Sequence, residues 1–271
     1  MNRPYQPAPD VHVLPNALPL PGEGVLTVNA YVLLAEEPVL VDSGIAGDSD
    51  EFMDALQSVV DPSKLRWVWL THDDMDHTGS LQRVMELAPQ AKLVTHAMCA
   101  LRMATWWPVP LDRVHAIRVG DEIHAGDRTL RAVQPPLFDN PMSTGFVDTS
   151  TGALFSVDSF GAIIPESTEN TSEIPDDALT GGMVGWASMD SPWTRLVDRE
   201  KFAQVLDGVR RMQPTSIYSS HLPAAGGDNV ERFLKVLGTL PDTAPFDPPD
   251  SEQFQHMVAA MAAMAGPPPM A

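Results

Sequence analysis

The spacing of apolar positions changes along the first half of the chain between a period of two and a period near 3.6, which predicts strands alternating with helices. Residues 25–35 and 39–41 flank a Glu-Glu-Pro turn and predict a β-hairpin. Residues 49–60 carry an apolar stripe at helical spacing, and Asp48 and Glu51 have the spacing of a capping box. A helix is therefore predicted directly after the hairpin.

The remaining pattern completes an alternating β and α layout. Residues 65–70 are aromatic or aliphatic and predict a buried strand. The other predicted elements are a helix from Leu81, a strand at 92–96, a helix at 97–106, short antiparallel strands at 114–119 and 129–133 with Ile123 between them, a loop at 135–145, a strand at 153–157, helices at 175–189 and after Asp198, and a strand at 216–220.

Nine residues between the strand at 65–70 and the next helix hold two histidines and three aspartates: Thr71-His72-Asp73-Asp74-Met75-Asp76-His77-Thr78-Gly79. In open α/β sheets ligands bind where a strand's carboxyl end meets a helix. A helix cap explains one aspartate, and exposed histidines are common in loops. Neither explains two histidines and three aspartates within nine residues. Imidazole and carboxylate groups that converge suit divalent transition metals. The candidate ligands are His72, Asp74, Asp76 and His77.

Three further acid or histidine residues follow predicted strands in the same way. Asp42 ends the hairpin, Asp158 follows the strand at 153–157, and His221 follows the strand at 216–220. Asp42 is open to two interpretations, since it is placed either to orient a ligand histidine or to form a turn.

Composition limits the classes of partner. The chain has 271 residues, of which 44% are hydrophobic, and its 17 Lys and Arg against 36 Asp and Glu give a net charge of −19. Such a charge disfavours nucleic acid and anionic membrane surfaces. No apolar run approaches the roughly 20 residues of a membrane span, and residues 1–9 lack the apolar segment of a signal peptide. A cytoplasmic protein is expected, and the single cysteine, Cys99, excludes an internal disulfide.

The predicted domain organisation is a main domain over residues 1–240, a proline-rich linker over 241–250, and a Met- and Ala-rich helix and tail over 251–271. The helix carries an apolar stripe. We expect this stripe to dock on its own domain or on a second copy, so a homodimer is among the expected assemblies. Its residues are Phe254, Met257, Val258, Met261 and Met264.

The order and spacing of the candidate residues resemble the metallo-β-lactamase superfamily. The resemblance spans about residues 20–225 and rests on Val41-Asp42-Ser43-Gly44, His72-x-Asp74-x-Asp76-His77-x-Gly79, Asp158 and Ser220-His221. It implies an α/β (α+β) fold, a four-layer αββα sandwich of two mixed sheets covered by helices. It also implies a two-metal site at one edge of the sheets.

Asp74 brings the resemblance closest to flavodiiron proteins and related oxygen-binding diiron proteins, because hydrolytic members usually have a histidine there. Residues 154–161 also resemble the flavodiiron segment around the bridging aspartate. A carboxylate in place of imidazole favours iron or manganese over zinc. The ligands that the resemblance implies are His72 and Asp74 on one metal, Asp76, His77 and His221 on the other, and Asp158 as the bridge.

One position departs from the family pattern. The family has a further histidine in a Pro-x-Leu-His segment, and Phe138 stands in its place here. Three outcomes stay open for that metal: Asp139 supplies a substitute oxygen, water fills the position, or the metal binds weakly. A mononuclear site at Asp76, His77, Asp158 and His221 is the limiting case.

The resemblance implies a non-haem dimetal protein of oxidoreductase type that binds or activates dioxygen. Two divalent ions are expected, namely iron, with zinc and manganese as alternatives. No flavin is expected in this chain, since residues beyond 240 hold a linker and one helix, so a separate reductase would supply electrons. The alternative is a zinc-dependent hydrolase of an ester, lactone, thioester or phosphoester, and a third hypothesis is a binding protein depleted of metal.

Overall fold

The computed structural model describes residues 3–265 of the chain, which form two mixed β-sheets packed face to face. The first sheet follows chain order from β1 to β7, with β12 paired to β3. Its strands up to β4 are antiparallel, and β4 to β7 are parallel. They are β1 (Tyr5–Ala8), β2 (Val11–Leu20), β3 (Gly24–Leu33), β4 (Val39–Val41), β5 (Trp67–Trp69), β6 (Lys92–Thr95), β7 (Val114–Ala116) and β12 (Ile163–Ile164).

The second sheet has the order β14-β13-β11-β10-β9-β8. Its neighbours are antiparallel except for β11 and β13, which run parallel. The strands are β8 (Glu122–Ala125), β9 (Arg128–Val133), β10 (Gly145–Asp148), β11 (Ala153–Val157), β13 (Ser216–Ser219) and β14 (Leu222–Gly226).

Helices cover the outer faces, which makes the molecule a four-layer sandwich. Three apolar clusters correspond to the three interfaces between layers: one beneath the helices of the first sheet, one between the sheets, and one beneath the helices of the second sheet. The helices are α1 (Ser49–Val59), α2 (Met75–Thr78), α3 (Leu81–Leu87), α4 (Ala97–Met103), α5 (Asp176–Asp190), α6 (Arg199–Met212), α7 (Val230–Leu237) and α8 (Ser251–Ala265).

Most predicted elements are confirmed, with ends that differ by a few residues. The hairpin of β3 and β4, the strand β11 and the glycine-containing helix α5 all form. Asp198 caps α6 as predicted, because its carboxylate accepts hydrogen bonds from the backbone N–H groups of Glu200 and Lys201. The four-layer αββα architecture predicted from the resemblance is also present.

Other predictions are wrong or incomplete. The strand from Val114 was expected in the antiparallel set but pairs parallel with β6 in the first sheet. Asp48 makes no cap hydrogen bond, since its carboxylate accepts from Asn16 instead. Strands β1, β2, β10, β12 and β14 and helices α2 and α7 were not predicted. Prolines at 15 and 19 obscured β2, and they lie beyond its pairing with β1, where a proline is tolerated.

The C-terminal segment contains a helix, as predicted. Residues 243–250 form no helix or strand, and α8 follows them with Phe254, Val258 and Met261 exposed. The side chain of Met264 and residues 266–271 lie outside the described residues. The domain boundaries at 240 and 250 stay predictions. No helix in the described part of the chain is both long and apolar enough to cross a membrane.

Candidate metal centre

The six predicted ligands converge at one edge of the two sheets. Strands β4 and β5 are parallel neighbours, so the loops after them, with Asp42 and the Thr71–Gly79 segment, emerge side by side. Strands β11 and β13 are parallel in the other sheet and place Asp158 and His221 opposite those loops. Residues more than a hundred positions apart in sequence thus meet in one site.

The imidazole of His77 is fixed by a buried acid. Oδ2 of Asp42 lies 2.9 Å from Nδ1 of His77, while Oδ1 of Asp42 accepts the backbone N–H of Thr71 at 2.9 Å. Of the two interpretations of Asp42, the structure favours the one in which it orients a histidine. The contact places the proton on Nδ1 of His77 and leaves Nε2 facing the other candidate ligands.

His221 is oriented by a backbone group. Its Nδ1 lies 2.7 Å from the carbonyl oxygen of Thr27, which can only accept, so Nδ1 donates and Nε2 presents a lone pair to the site. The ring of Trp186 lies against the imidazole, with 4.6 Å between centroids, and its Nε1 donates to the carbonyl oxygen of Asp158 at 3.3 Å. Trp186, which sequence reasoning did not select, thus holds two candidate ligands in place.

Asp158 lies at the centre of the site. Its Oδ1 is 3.2 Å from Nε2 of both His77 and His221, and its Oδ2 is 3.4 Å from Nε2 of His72. Both oxygens are buried and make no hydrogen bond. Unpaired buried carboxylate oxygens are costly, and a carboxylate with one oxygen toward each of two ligand groups has the placement of a bridge.

The charges in the site perturb one another strongly. Burial alone raises the pKa of Asp158, but the imidazoles of His72 and His77 outweigh it and hold that pKa well below its ordinary range. Burial lowers the pKa of His77, but Asp76, Asp42 and Asp158 together raise it well above its ordinary value. Opposite charges packed at this density are typical of functional sites.

The remaining ligands form two groups on either side of Asp158. In the first, Asp76 lies with its Oδ2 3.5 Å from Nε2 of both His77 and His221. In the second, His72 Nε2 lies 3.8 Å from Oδ2 of Asp74 and 3.8 Å from Oδ1 of Asp139. This division agrees with the two ligand sets expected from the resemblance.

The structure shows that Asp139, rather than Phe138, lies beside the ligands of the first group. Phe138 packs its ring 4.9 Å from that of Trp193 and lines an apolar groove on the outer face of the molecule. The next residue, Asp139, points its carboxylate toward His72 and Asp74. Of the three outcomes expected for this position, the geometry favours Asp139 as the substitute oxygen donor.

A fourth carboxylate on this side was not predicted. Asp190, the last residue of α5, has a carboxylate oxygen within 4.8 Å of oxygens of Asp139 and Asp158. Burial and the charge of Asp158 raise the pKa of Asp139 to about 8 and that of Asp190 to about 7. Nothing in the sequence around Asp190 indicates this role, since it ends a helix far along the chain.

Other polar residues near the site have supporting roles. Asp73, within the histidine and aspartate cluster, accepts a hydrogen bond from Asn140 and contacts Arg102 at 3.0 Å, so its carboxylate is paired with these two residues. The amide of Asn140 also donates to Asp74 at 3.0 Å. His96 caps α4 by accepting from the backbone N–H of Met98. It is therefore not a ligand candidate.

The residues present fit a pair of metal ions. Three imidazole Nε2 atoms face inward, and the central carboxylate has both oxygens buried without a hydrogen bond, an arrangement that bound cations would compensate. The other acids present oxygens around it. Mixed imidazole and carboxylate sets of this kind suit divalent iron, manganese or zinc.

Together, the four-layer sandwich and the histidine and aspartate cluster at its edge define a metallo-β-lactamase-fold protein. The described chain superposes on the rubredoxin:oxygen oxidoreductase of Desulfovibrio gigas with a TM-score of 0.77 and 21% identity, covering 90% of this chain and 63% of that one. It superposes on the flavodiiron protein of Giardia intestinalis with a TM-score of 0.78 and 18% identity, covering 89% and 60%. At these identities the likeness establishes the fold alone.

The family model described as "ODP family beta lactamase" matches residues 26–221, and the chain belongs to that family. An uncharacterized protein of Methanocaldococcus jannaschii is 25% identical over 182 residues, which are 67% of this chain and 46% of that protein. The coenzyme F420H(2) oxidase of Methanothermobacter thermautotrophicus is 27% identical over 200 residues, 70% of this chain and 49% of the oxidase. The chain spans about half or less of the length of these relatives.

Proposed function

We propose that this protein is a non-haem diiron protein that binds and reduces dioxygen. In this proposal His72, Asp74 and Asp139 would hold one iron, Asp76, His77 and His221 would hold the other, and Asp158 would serve as the bridge by contributing a carboxylate oxygen to each. Electrons would come from a separate reductase.

The observation that carries the proposal is the central carboxylate of Asp158, buried with both oxygens unpaired between three inward-facing imidazoles. A purely structural role would leave a buried charge of this kind hydrogen-bonded. Asp74 supports iron over zinc, because a carboxylate at this position adds negative charge and hard oxygen donors.

The names of relatives support the same chemistry. One is the coenzyme F420H(2) oxidase already described, one is a nitric oxide reductase of Moorella thermoacetica at 24% identity, and one is a rubredoxin-oxygen oxidoreductase of Megalodesulfovibrio gigas at 27% identity. Each of these names states a redox reaction, and two of them name nitric oxide or oxygen. We extend this chemistry to the present chain, with dioxygen as the substrate and nitric oxide as the second substrate to test.

The ligands and the residues that orient them would have different roles. Iron held by these residues would supply the redox chemistry, with the electrons delivered by the reductase. The carboxylates of this chain would stabilise a higher oxidation state by adding negative charge. Asp42 and the carbonyl of Thr27 hold two imidazoles in a fixed tautomer. A surface depression of about 500 Å³ borders the site at Asp74 and Asp76 and would admit a small molecule. It is lined by Leu18, Ile45, Asp73, Asp74, Met75, Asp76 and Arg102.

Metal analysis of protein produced in iron-supplemented medium tests the proposal. We expect about two iron atoms per chain, as the two ligand sets imply, and a near-ultraviolet absorption band that grows when the anaerobic protein is exposed to air. Stoichiometric zinc with turnover of a generic ester would instead establish the hydrolase alternative. Protein that takes up iron but shows no spectral change in air would contradict the proposed dioxygen chemistry.

A further inference from the structure

We propose that Asp190 is an additional ligand of the metal held by His72, and that the two metal positions therefore prefer different ions. This inference rests on the proposed dimetal function. It adds to the family's ligand pattern a residue from the end of α5, which that pattern does not contain.

The first support is the geometry of three carboxylates. One oxygen each from Asp139, Asp158 and Asp190 lie within 4.8 Å of one another, which is the spacing of ligands around a single ion. Asp139 also belongs to a second such group, with His72 and Asp74. Asp190 therefore extends the ligand group of His72 rather than forming a separate cluster.

The second support is the unpaired oxygen of Asp158 that faces this group. Oδ2 of Asp158 is fully buried, makes no hydrogen bond and lies on the side of His72. Within residues 3–265, neither Asp139 nor Asp190 has a Lys or Arg nitrogen within 4.0 Å. Three carboxylates so close together, with imidazoles as their only basic neighbours among the described residues, repel one another, and a cation bound between them would offset that repulsion.

Asp190 is also held in position. The hydroxyl of Ser191 donates to Oδ2 of Asp190 at 2.9 Å, and Ser191 is itself fully buried. The backbone N–H of Ser191 donates to the carbonyl oxygen of Ala187 and ends α5 at this point. A carboxylate fixed through one oxygen keeps the other available, which is the usual arrangement for a metal ligand supported by a neighbouring donor.

The two positions then differ in chemistry. The position of His72 has one imidazole and four carboxylates, from Asp74, Asp139, Asp158 and Asp190. The other has two imidazoles, from His77 and His221, with the carboxylates of Asp76 and Asp158. Oxygen-rich sets suit manganese and iron, whereas imidazole-rich sets bind zinc well. We therefore expect the His72 position to select manganese over zinc more strongly than its neighbour.

The test is a titration of metal-free, full-length protein with Mn²⁺. The electron paramagnetic resonance signal of free Mn²⁺ measures how much of the ion stays unbound at each step. The wild type should bind two equivalents. Asp190→Asn should weaken one equivalent at least about tenfold and leave the other unchanged. Asp177→Asn serves as the matched control, because Asp177 is exposed on the first turn of the same helix and should change neither equivalent.

A competition on the wild type gives a result that does not depend on the variant's folding. When Mn²⁺-loaded protein is titrated with Zn²⁺, we expect one Mn²⁺ equivalent to be displaced at a lower Zn²⁺ concentration than the other, and the two displacements to come closer together in Asp190→Asn. A wild type in which zinc displaces both Mn²⁺ equivalents together would overturn the inference, as would two unchanged Mn²⁺ equivalents in Asp190→Asn. Both results leave the dimetal site intact, whereas a wild type that binds one metal or none would contradict the proposed function itself.

Discussion

The carboxylate of Asp42 contacts Nδ1 of His77 at 2.9 Å and at the same time accepts the backbone N–H and the hydroxyl of Thr71. Asp42 has a left-handed backbone with a φ of 57°, and it is buried. One side chain at the end of β4 thus fixes both the start of the histidine and aspartate cluster and the orientation of a histidine near its end.

Asp42→Asn tests this coupling. Asparagine tolerates the left-handed backbone, so the change removes the charge and one acceptor atom without backbone strain. We expect metal affinity to fall about 10- to 100-fold, as measured by competition with a chelator of known affinity. Asp54→Asn, an exposed change on α1, is the control. Unchanged affinity in Asp42→Asn would show that His77 needs no orienting acid.

Gly79→Ala should destabilise the protein and disturb the site together. A methyl group on Gly79 would lie 2.2 Å from backbone atoms of Ile45 and Ala46, so the loop after β4 would have to move. In that loop, the carbonyl oxygen of Gly44 accepts a hydrogen bond from the backbone N–H of Gly79. We expect a loss of about 2 kcal/mol or more in the free energy of unfolding, measured by urea denaturation, together with weaker metal binding.

Gly185→Ala provides the matched comparison for Gly79→Ala. A methyl group on Gly185 in α5 meets no atom within 4 Å. An alanine in an open helical position should stabilise the protein by about 0.5–1 kcal/mol. If both variants were equally stable, close packing of the Gly79 loop would not be what holds the site together.

The local pattern was sufficient to predict part of the fold and of the site. Asp42 follows the apolar residues 39–41 and Asp158 follows the mainly apolar residues 153–157, so their placement at strand ends could be inferred from the chain itself. Strand β14, in contrast, has five residues that include a proline and a glycine, so its local sequence does not predict a strand. It forms a strand through its antiparallel pairing with β13.

The positions of Asp139 and Asp190 could not be inferred in the same way. Which of Phe138 and Asp139 faces the site depends on the packing of Phe138 against Trp193, a contact between residues 55 apart. Asp190 reaches the site because α5 covers the second sheet and ends beside Asp158. Both the orientation of Asp139 and the position of Asp190 depend on tertiary packing, so the local spacing of residues does not predict them.

Asp139→His should restore the histidine of the family pattern, whereas Phe138→His should not. Asp139 points toward His72, while the ring of Phe138 packs on Trp193 away from the ligands. We expect Asp139→His to retain two metals and shift its preference toward zinc, as measured by metal competition. Phe138→His should keep the wild-type preference and lose some stability through the lost aromatic contact. The reverse pattern would assign the ligand position to residue 138.

Asp158→Ala should release both metals, while Asp76→Ala should release one. Asp158 lies between the two ligand groups, with an oxygen toward His72 and an oxygen toward His77 and His221. Asp76 contacts only the group of His77 and His221. Metal content of the purified variants measures the difference. Retention of one full equivalent by Asp158→Ala would indicate two independent sites without a bridge.

The metal-free protein should lose stability as the pH rises from about 6.5 to about 8.5. The pKa of Asp139 is raised to about 8 and that of Asp190 to about 7, so in this range the folded state still binds protons that the unfolded chain has released. The raised pKa of His77 acts in the same direction. Stability that these protonated groups contribute is present at the lower pH and is lost as the pH passes through their folded pKa values.

Thermal unfolding in the presence of a chelator, at both ends of this pH range, measures the effect. The melting temperature of the metal-free protein should be lower at the higher pH, and the Asp139→Asn, Asp190→Asn double variant should show a smaller decrease. Metal-loaded protein should show no such loss, because bound ions replace the protons and bind more tightly as the ligands deprotonate. A metal-free protein that gains stability over this range would show that the carboxylates do not crowd one another in solution.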